Sequence, residues 1–138
     1  MESKAKGATL LKVTSIIILI IGIIALAFNV LGLFGIIALD LLTIFYIVWA
    51  FIYPITWILT GLKGKKNANS TDEKDIKDCF KWGIILILVI ILDYGIGYII
   101  NGLYGVSVFS LIRFIFPILY LVGVNQNKKS IDSNDFNN

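Results

Sequence analysis

The sequence predicts an all-α integral membrane protein: four transmembrane helices forming two parallel-related helical hairpins by internal duplication, with both termini cytoplasmic. Three observations predict it: two long apolar blocks, lysines confined to three places, and a repeat at an offset of 63 residues. The 138 residues are 58% apolar and 15% charged, against about 45–50% and about 25% in soluble domains. Mean hydropathy is +0.89. One cysteine and no histidine exclude an internal disulfide and a Cys/His zinc site.

The first apolar block, Val13 to Leu62, holds one charge, Asp40, and the second, Trp82 to Val124, holds two, Asp93 and Arg113. A spanning helix needs roughly 20 apolar residues at about 1.5 Å each, so each block accommodates two passes. Open strands are excluded, because unpaired backbone groups cannot face lipid, and no segment alternates in polarity as a membrane barrel does. The expected helices cover 13–33, 41–62, 82–101 and 106–124. Asn101-Gly102-Leu103-Tyr104-Gly105 makes the turn between helices 3 and 4, and Asp40 is read as the N-cap of helix 2. Between the blocks, Ser70-Thr71-Asp72-Glu73 reads as a capping box, which starts helix 3 near Thr71, outside the membrane. The first hairpin then occupies residues 1–66 and the second 67–124, leaving 125–138, rich in Asn and Ser, as a disordered cytoplasmic tail.

All eleven lysines lie near the N-terminus, between Lys63 and Lys81, or at Lys128 and Lys129, and the two turns on the other side contain no Lys or Arg. The positive-inside rule therefore puts both termini and the central loop in the cytoplasm. Residues 1–12 with Ala25-Leu26-Ala27 imitate a signal peptide, but Phe28 to Leu39 stays apolar, so cleavage is not expected.

Phe51-Ile52-Tyr53-Pro54-Ile55-Thr56-Trp57-Ile58 matches Phe114-Ile115-Phe116-Pro117-Ile118-Leu119-Tyr120-Leu121, and the same offset carries Lys65-Lys66 onto Lys128-Lys129. Two passes per repeat return the chain to one side, so the halves are parallel. Pro54 and Pro117 are expected to kink helices 2 and 4, since each removes a backbone bond to the residue four earlier, Ala50 and Arg113.

Asp93 lies eight residues before Asn101, and Arg113 eight after Gly105, which sets both roughly 12 Å below the outer turn. An unpaired charge there costs at least about 2.5–3.5 kcal/mol, so an intramembrane Asp93–Arg113 ion pair is predicted. Its role stays open between a clamp on helices 3 and 4 and a site facing a polar cavity. Asn101 follows Asp93 and Gly97 along one face, and Tyr120 follows Arg113 and Pro117 along another; both are candidates for a supporting polar face. Ser15, Gly22 and Asn29 form a heptad stripe of small and weakly polar residues of the kind that packs membrane helices, and Asn29 is expected to hydrogen-bond across to helix 2 or 4.

Gly7-Ala8-Thr9-Leu10-Leu11-Lys12-Val13, with Pro117-Ile118-Leu119-Tyr120-Leu121-Val122-Gly123 and the terminal Lys128-Lys129, resembles a loose group of small four-helix membrane proteins of anaerobic and Gram-positive bacteria, known as domains of unknown function. The resemblance implies a bacterial cytoplasmic membrane and no activity. Asp93 and Arg113 belong to no pattern of that group.

These features lead to a non-catalytic membrane protein acting through helix–helix association, as an accessory, immunity-type or scaffold subunit. Its partners are the lipid bilayer and itself or another membrane protein, with no nucleic acid, cofactor or metal. An enzyme is not expected, because no His, placed nucleophile or metal cluster is present, and Asp40 lies too near the surface to pair with Asp93 as an aspartyl protease requires. The alternative is a minimal oligomeric transporter or channel using Asp93 and Arg113. It differs from the small multidrug exporters in lacking an acidic residue in helix 1.

Overall fold

A computed structural model describes residues 6–35, 40–101 and 108–135. Four α-helices account for almost all of them: α1 (Ala8–Leu33), α2 (Leu41–Asn67), α3 (Glu73–Asn101) and α4 (Ile115–Asp135), with a 3₁₀ segment, Val108–Phe114, leading into α4. Among the described residues there is no strand, and α1, α2 and α3 are long and apolar enough to cross a membrane. Packing closes the four into a ring, α1 on α2 and α4, α3 on α2 and α4.

The helix starts follow from local chemistry. Asp40 caps α2 as expected, its Oδ1 accepting from the Thr43 N–H at 2.7 Å. At α3 the cap lies two residues after Ser70, within the expected box: Asp72 Oδ1 accepts from Lys74 N–H, while Ser70 Oγ accepts from Asp72 N–H and donates to Asp75 Oδ2. Ser70 thus relays the reciprocal bond that a capping-box acid makes directly, and α3 begins at Glu73 rather than Thr71.

Burial is unevenly distributed along the bundle. On α1 the buried positions run from Ala8 to Gly22, on α2 from Pro54 to Asn67, and on α3 none of the residues 91–100 is fully buried. The core therefore sits in the lysine-rich half, where Leu11, Ile18, Trp57, Leu86, Tyr120 and Val124 interlock. Glycine makes that half tight. A Cβ on Gly61 would stand 2.7 Å from the Leu19 N and Ser15 O, and one on Gly22 would stand 2.9 Å from Trp57 Cβ, so α1 and α2 meet nearly backbone to backbone. Gly7 and Gly123 do the same between α1 and α4. Ser15 is fully buried and Gly22 buried in this seam, as the heptad stripe implies for bundle interior. In the other half apolar side chains stay exposed, Leu41 at 86% and Phe28 at 69%.

Two expectations about the C-terminal quarter are corrected. Residues 125–135 are not disordered: α4 continues to Asp135 because the polar stretch has partners. Asn127 is fully buried and donates from Nδ2 to the Ala68 carbonyl at 2.9 Å, the Lys6 N–H donates to Ser130 Oγ, and Ile131 packs against the core. The expected helix over 106–124 is also not α throughout, being 3₁₀ across Val108–Phe114. Pro117 explains the switch. Having no N–H, it cannot bond the Arg113 carbonyl, so a ladder of α-helical bonds without a gap opens at the Phe114 carbonyl, and α4 starts at Ile115. Pro117 therefore stands in the first turn of α4, where a missing N–H costs little.

Pro54 lies inside α2, which continues through it. The carbonyl it frees, Ala50, accepts a hydrogen bond from Asn29 Nδ2 at 2.6 Å. The expected cross-helix bond of Asn29 thus lands on the one carbonyl of α2 that proline leaves without its helical donor. Asn29→Leu is expected to lower stability by about 1 kcal/mol, the scale of a membrane hydrogen bond. In a Pro54→Ala background, where Ala50 regains its helical partner, that loss should largely vanish in reversible unfolding in mixed micelles.

Candidate functional site

Polar groups set within the apolar segments converge where α2, α3 and the 3₁₀ segment meet. Arg113 Nη1 lies 3.0 Å from Asp93 Oδ2, the ion pair that matched depth predicts. The other carboxylate oxygen, Oδ1, accepts from Trp49 Nε1 at 2.9 Å, so Asp93 is held by a charge on one side and a neutral donor on the other. The Arg113 guanidinium lies 5.9 Å from the centre of the Tyr53 ring, within cation–π range. Behind this layer Tyr53 and Trp57 pack at 6.0 Å, and Tyr94 stacks on Phe114 at 5.7 Å. The 3₁₀ winding matters here, because it carries Arg113 in the last turn before α4 begins.

The pair is not enclosed. The Asp93 side chain is 27% exposed and that of Arg113 48%, on the more exposed half of the bundle. A cavity of about 290 Å³ adjoins it, bounded by Ile21 and Ala25 of α1, Tyr53 and Trp57 of α2, and Arg113 and Phe116. Its walls are mainly apolar, with Arg113 the only charged side chain among the described residues that line it.

Of the other predicted site residues, Asn29 bonds Ala50 on the same half of the bundle. The side chain of Asn101 lies outside those described. Tyr120 does not belong to this site. It is fully buried in the lysine-rich half, its ring lying against Gly64 and Gly83, because the two helical turns from Arg113 to Tyr120 carry it along the bundle into the core. Asp40 and Asp93 play separate parts, one capping α2 and the other paired with Arg113.

Sequence reasoning missed Trp49 and Tyr53, which hold the pair from the α2 side. A signal was present: Trp49, Tyr53 and Trp57 recur every four residues, a stripe of aromatic rings with polar tips on one helix face. Towards the lysine-rich end, Lys63 Nζ and Asp78 Oδ2 join α2 to α3 at 2.7 Å, and the buried Cys79 thiol donates to the Lys63 carbonyl.

No protein-family model, curated protein or solved structure matches the chain. What fold and site define is therefore a class. The chain is an all-helical protein with three helices able by length and composition to cross a membrane, carrying an Asp–Arg pair between apolar segments.

Proposed function

We propose that the chain is a four-crossing protein of the bacterial cytoplasmic membrane, made of two duplicated hairpins with both termini and the central loop on the cytoplasmic side. It acts without catalysis, by lateral association with itself or another membrane protein, as an accessory, immunity-type or scaffold subunit. The observation that carries this reading is Arg113: a cation at membrane depth with its side chain half exposed, on a half of the bundle where no described large apolar side chain is fully buried. Lipid covers a charge poorly, whereas a neighbouring helix covers both the guanidinium and the apolar faces around it.

The fourth crossing draws support from the 3₁₀ segment. Seven residues at about 2.0 Å and the ten from Ile115 to Val124 at about 1.5 Å span roughly 29 Å, close to the ~30 Å hydrocarbon thickness. As α-helix alone those residues would reach only about 25 Å. Purification of the tagged chain from membranes in mild detergent, with its native mass and co-purifying chains, tests the association. A stoichiometric second membrane protein or a defined homo-oligomer is the expected result; a monodisperse monomer without companions contradicts it.

The cavity beside Arg113 favours a second reading, a minimal oligomeric transporter or channel in which Asp93 and Arg113 handle a small solute. Proteoliposome flux that is lost in Asp93→Asn, with the fold retained, is the outcome that reading requires.

A further inference from the structure

A second cavity, of about 250 Å³, lies between α3 and α4 far from the Asp93–Arg113 pair. Its lining is of two kinds. Lys77, Asn125 and Lys128 supply its polar lining, and Ile76, Phe80 and Val124 its apolar lining. Lys77 and Lys128 are exposed while Ile76 and Val124 are buried, so the cations flank an opening and the hydrocarbon lies behind it. The same change runs along both helices. In α3 the charged turns end at Lys81 and the apolar run begins at Trp82; in α4 the apolar run ends at Val124 and the polar residues begin at Asn125. The cavity thus straddles the polar–apolar boundary of two adjacent helices, the level at which lipid headgroups lie.

The charge around it is unbalanced. Lys77 Nζ pairs with Glu73 Oε1 at 2.7 Å, an exposed pair one helical turn apart that ties up little of the ammonium. Glu73 is held below the ordinary carboxylate range chiefly by its hydrogen bond from Lys77, and the charge of Lys128 on α4 adds to the effect. A phosphodiester bridging Lys77 and Lys128 compensates the remaining positive charge. A choline headgroup brings a further cation to the same place.

We propose that this groove is a binding site for an anionic glycerophospholipid of the leaflet on the lysine-rich side, with its phosphate between Lys77 and Lys128 and an acyl chain over Phe80 and Val124. The proposal rests on α3 and α4 crossing a bilayer, but on no particular partner or transported solute. The apolar lining commits the site to a lipid in preference to a free anion, since inorganic phosphate gains nothing from Phe80, Ile76 or Val124.

The test is titration of the delipidated protein in neutral detergent with phosphatidylglycerol and with phosphatidylcholine, followed by native mass spectrometry. Phosphatidylglycerol should bind at least about tenfold more tightly. Each lysine near a membrane surface contributes about 1 kcal/mol, close to fivefold in affinity, so Lys77→Gln/Lys128→Gln should weaken phosphatidylglycerol by roughly twenty-five-fold and abolish the preference. Lys65→Gln/Lys66→Gln removes the same charge from the end of α2 and should change the affinity by less than about twofold. Equal losses in the two double variants, or no preference in the parent, overturn the site. Displacement of the bound lipid by millimolar inorganic phosphate overturns its assignment to a lipid. Helix content measured by circular dichroism separates these outcomes from misfolding, and the topology of α3 and α4 is checked independently by cysteine labelling.

Discussion

Arg113→Leu is expected to lower the stability of the folded bundle by about 2.5–3.5 kcal/mol, the cost of a lone charge at membrane depth. The substitution leaves Asp93 with Trp49 Nε1 as its remaining partner, and one neutral donor does not neutralise a carboxylate. Asp93→Leu is expected to be comparably harmful, because it strands the guanidinium. The double variant Asp93→Leu/Arg113→Leu should recover most of the loss, since two apolar side chains in an apolar setting leave only the Trp49 N–H without its acceptor, about 1 kcal/mol. Unfolding by SDS in mixed micelles, run as a double-mutant cycle, measures the coupling. A coupling energy near zero would mean that the two charges do not meet in the bilayer. Retained association and retained flux in the folded double variant would mark the pair as a clamp on α3 and the 3₁₀ segment.

The second large effect belongs to Gly61. Its would-be Cβ meets Leu19 N and Ser15 O at 2.7 Å, and these are backbone atoms that cannot swing aside as a side chain can. Gly61→Val must push α1 from α2 along the seam that also holds Ser15 and Gly22, at a cost of about 3 kcal/mol or more. Gly95 supplies the control. Nothing lies within 4 Å of its would-be Cβ, so Gly95→Ala is expected to be neutral or to stabilise α3 by up to about 1 kcal/mol through helix propensity. The same micelle unfolding measurement distinguishes the two, and equal effects at Gly61 and Gly95 would contradict the close seam.

Much of this architecture is legible in the residues, for identifiable reasons. Long apolar runs force helices, and their punctuation at Asp40 and near Ser70 places two starts within two residues, because capping depends on short-range hydrogen bonds. Asp93 and Arg113 can be paired by counting from the turn, since depth follows from rise per residue. Asn29 is legible as a cross-helix donor, though its acceptor is identified only when Pro54 is seen to free Ala50 on the facing helix.

What escaped was set by tertiary contact. Asn127 looks like tail composition until the Ala68 carbonyl is found over it. Tyr120 follows Arg113 at the spacing of one face, but two turns further along the chain that face has entered the buried core. Trp49 was passed over because an indole in a membrane helix is ordinarily an interfacial anchor or packing, and its role depends on an acceptor 44 residues away.

The side on which residues 125–135 lie tests the four-crossing architecture most directly. In a Cys79→Ser background, single cysteines at Lys66, Asp40 and Lys129 can be labelled in intact cells and inverted vesicles with a membrane-impermeant maleimide. Four crossings require Lys66→Cys and Lys129→Cys to react only from the cytoplasmic face and Asp40→Cys only from the outer one. Labelling of Lys66→Cys and Lys129→Cys from opposite faces would contradict it: Val108–Val124 would not cross, and α1, α2 and α3 alone would span the bilayer.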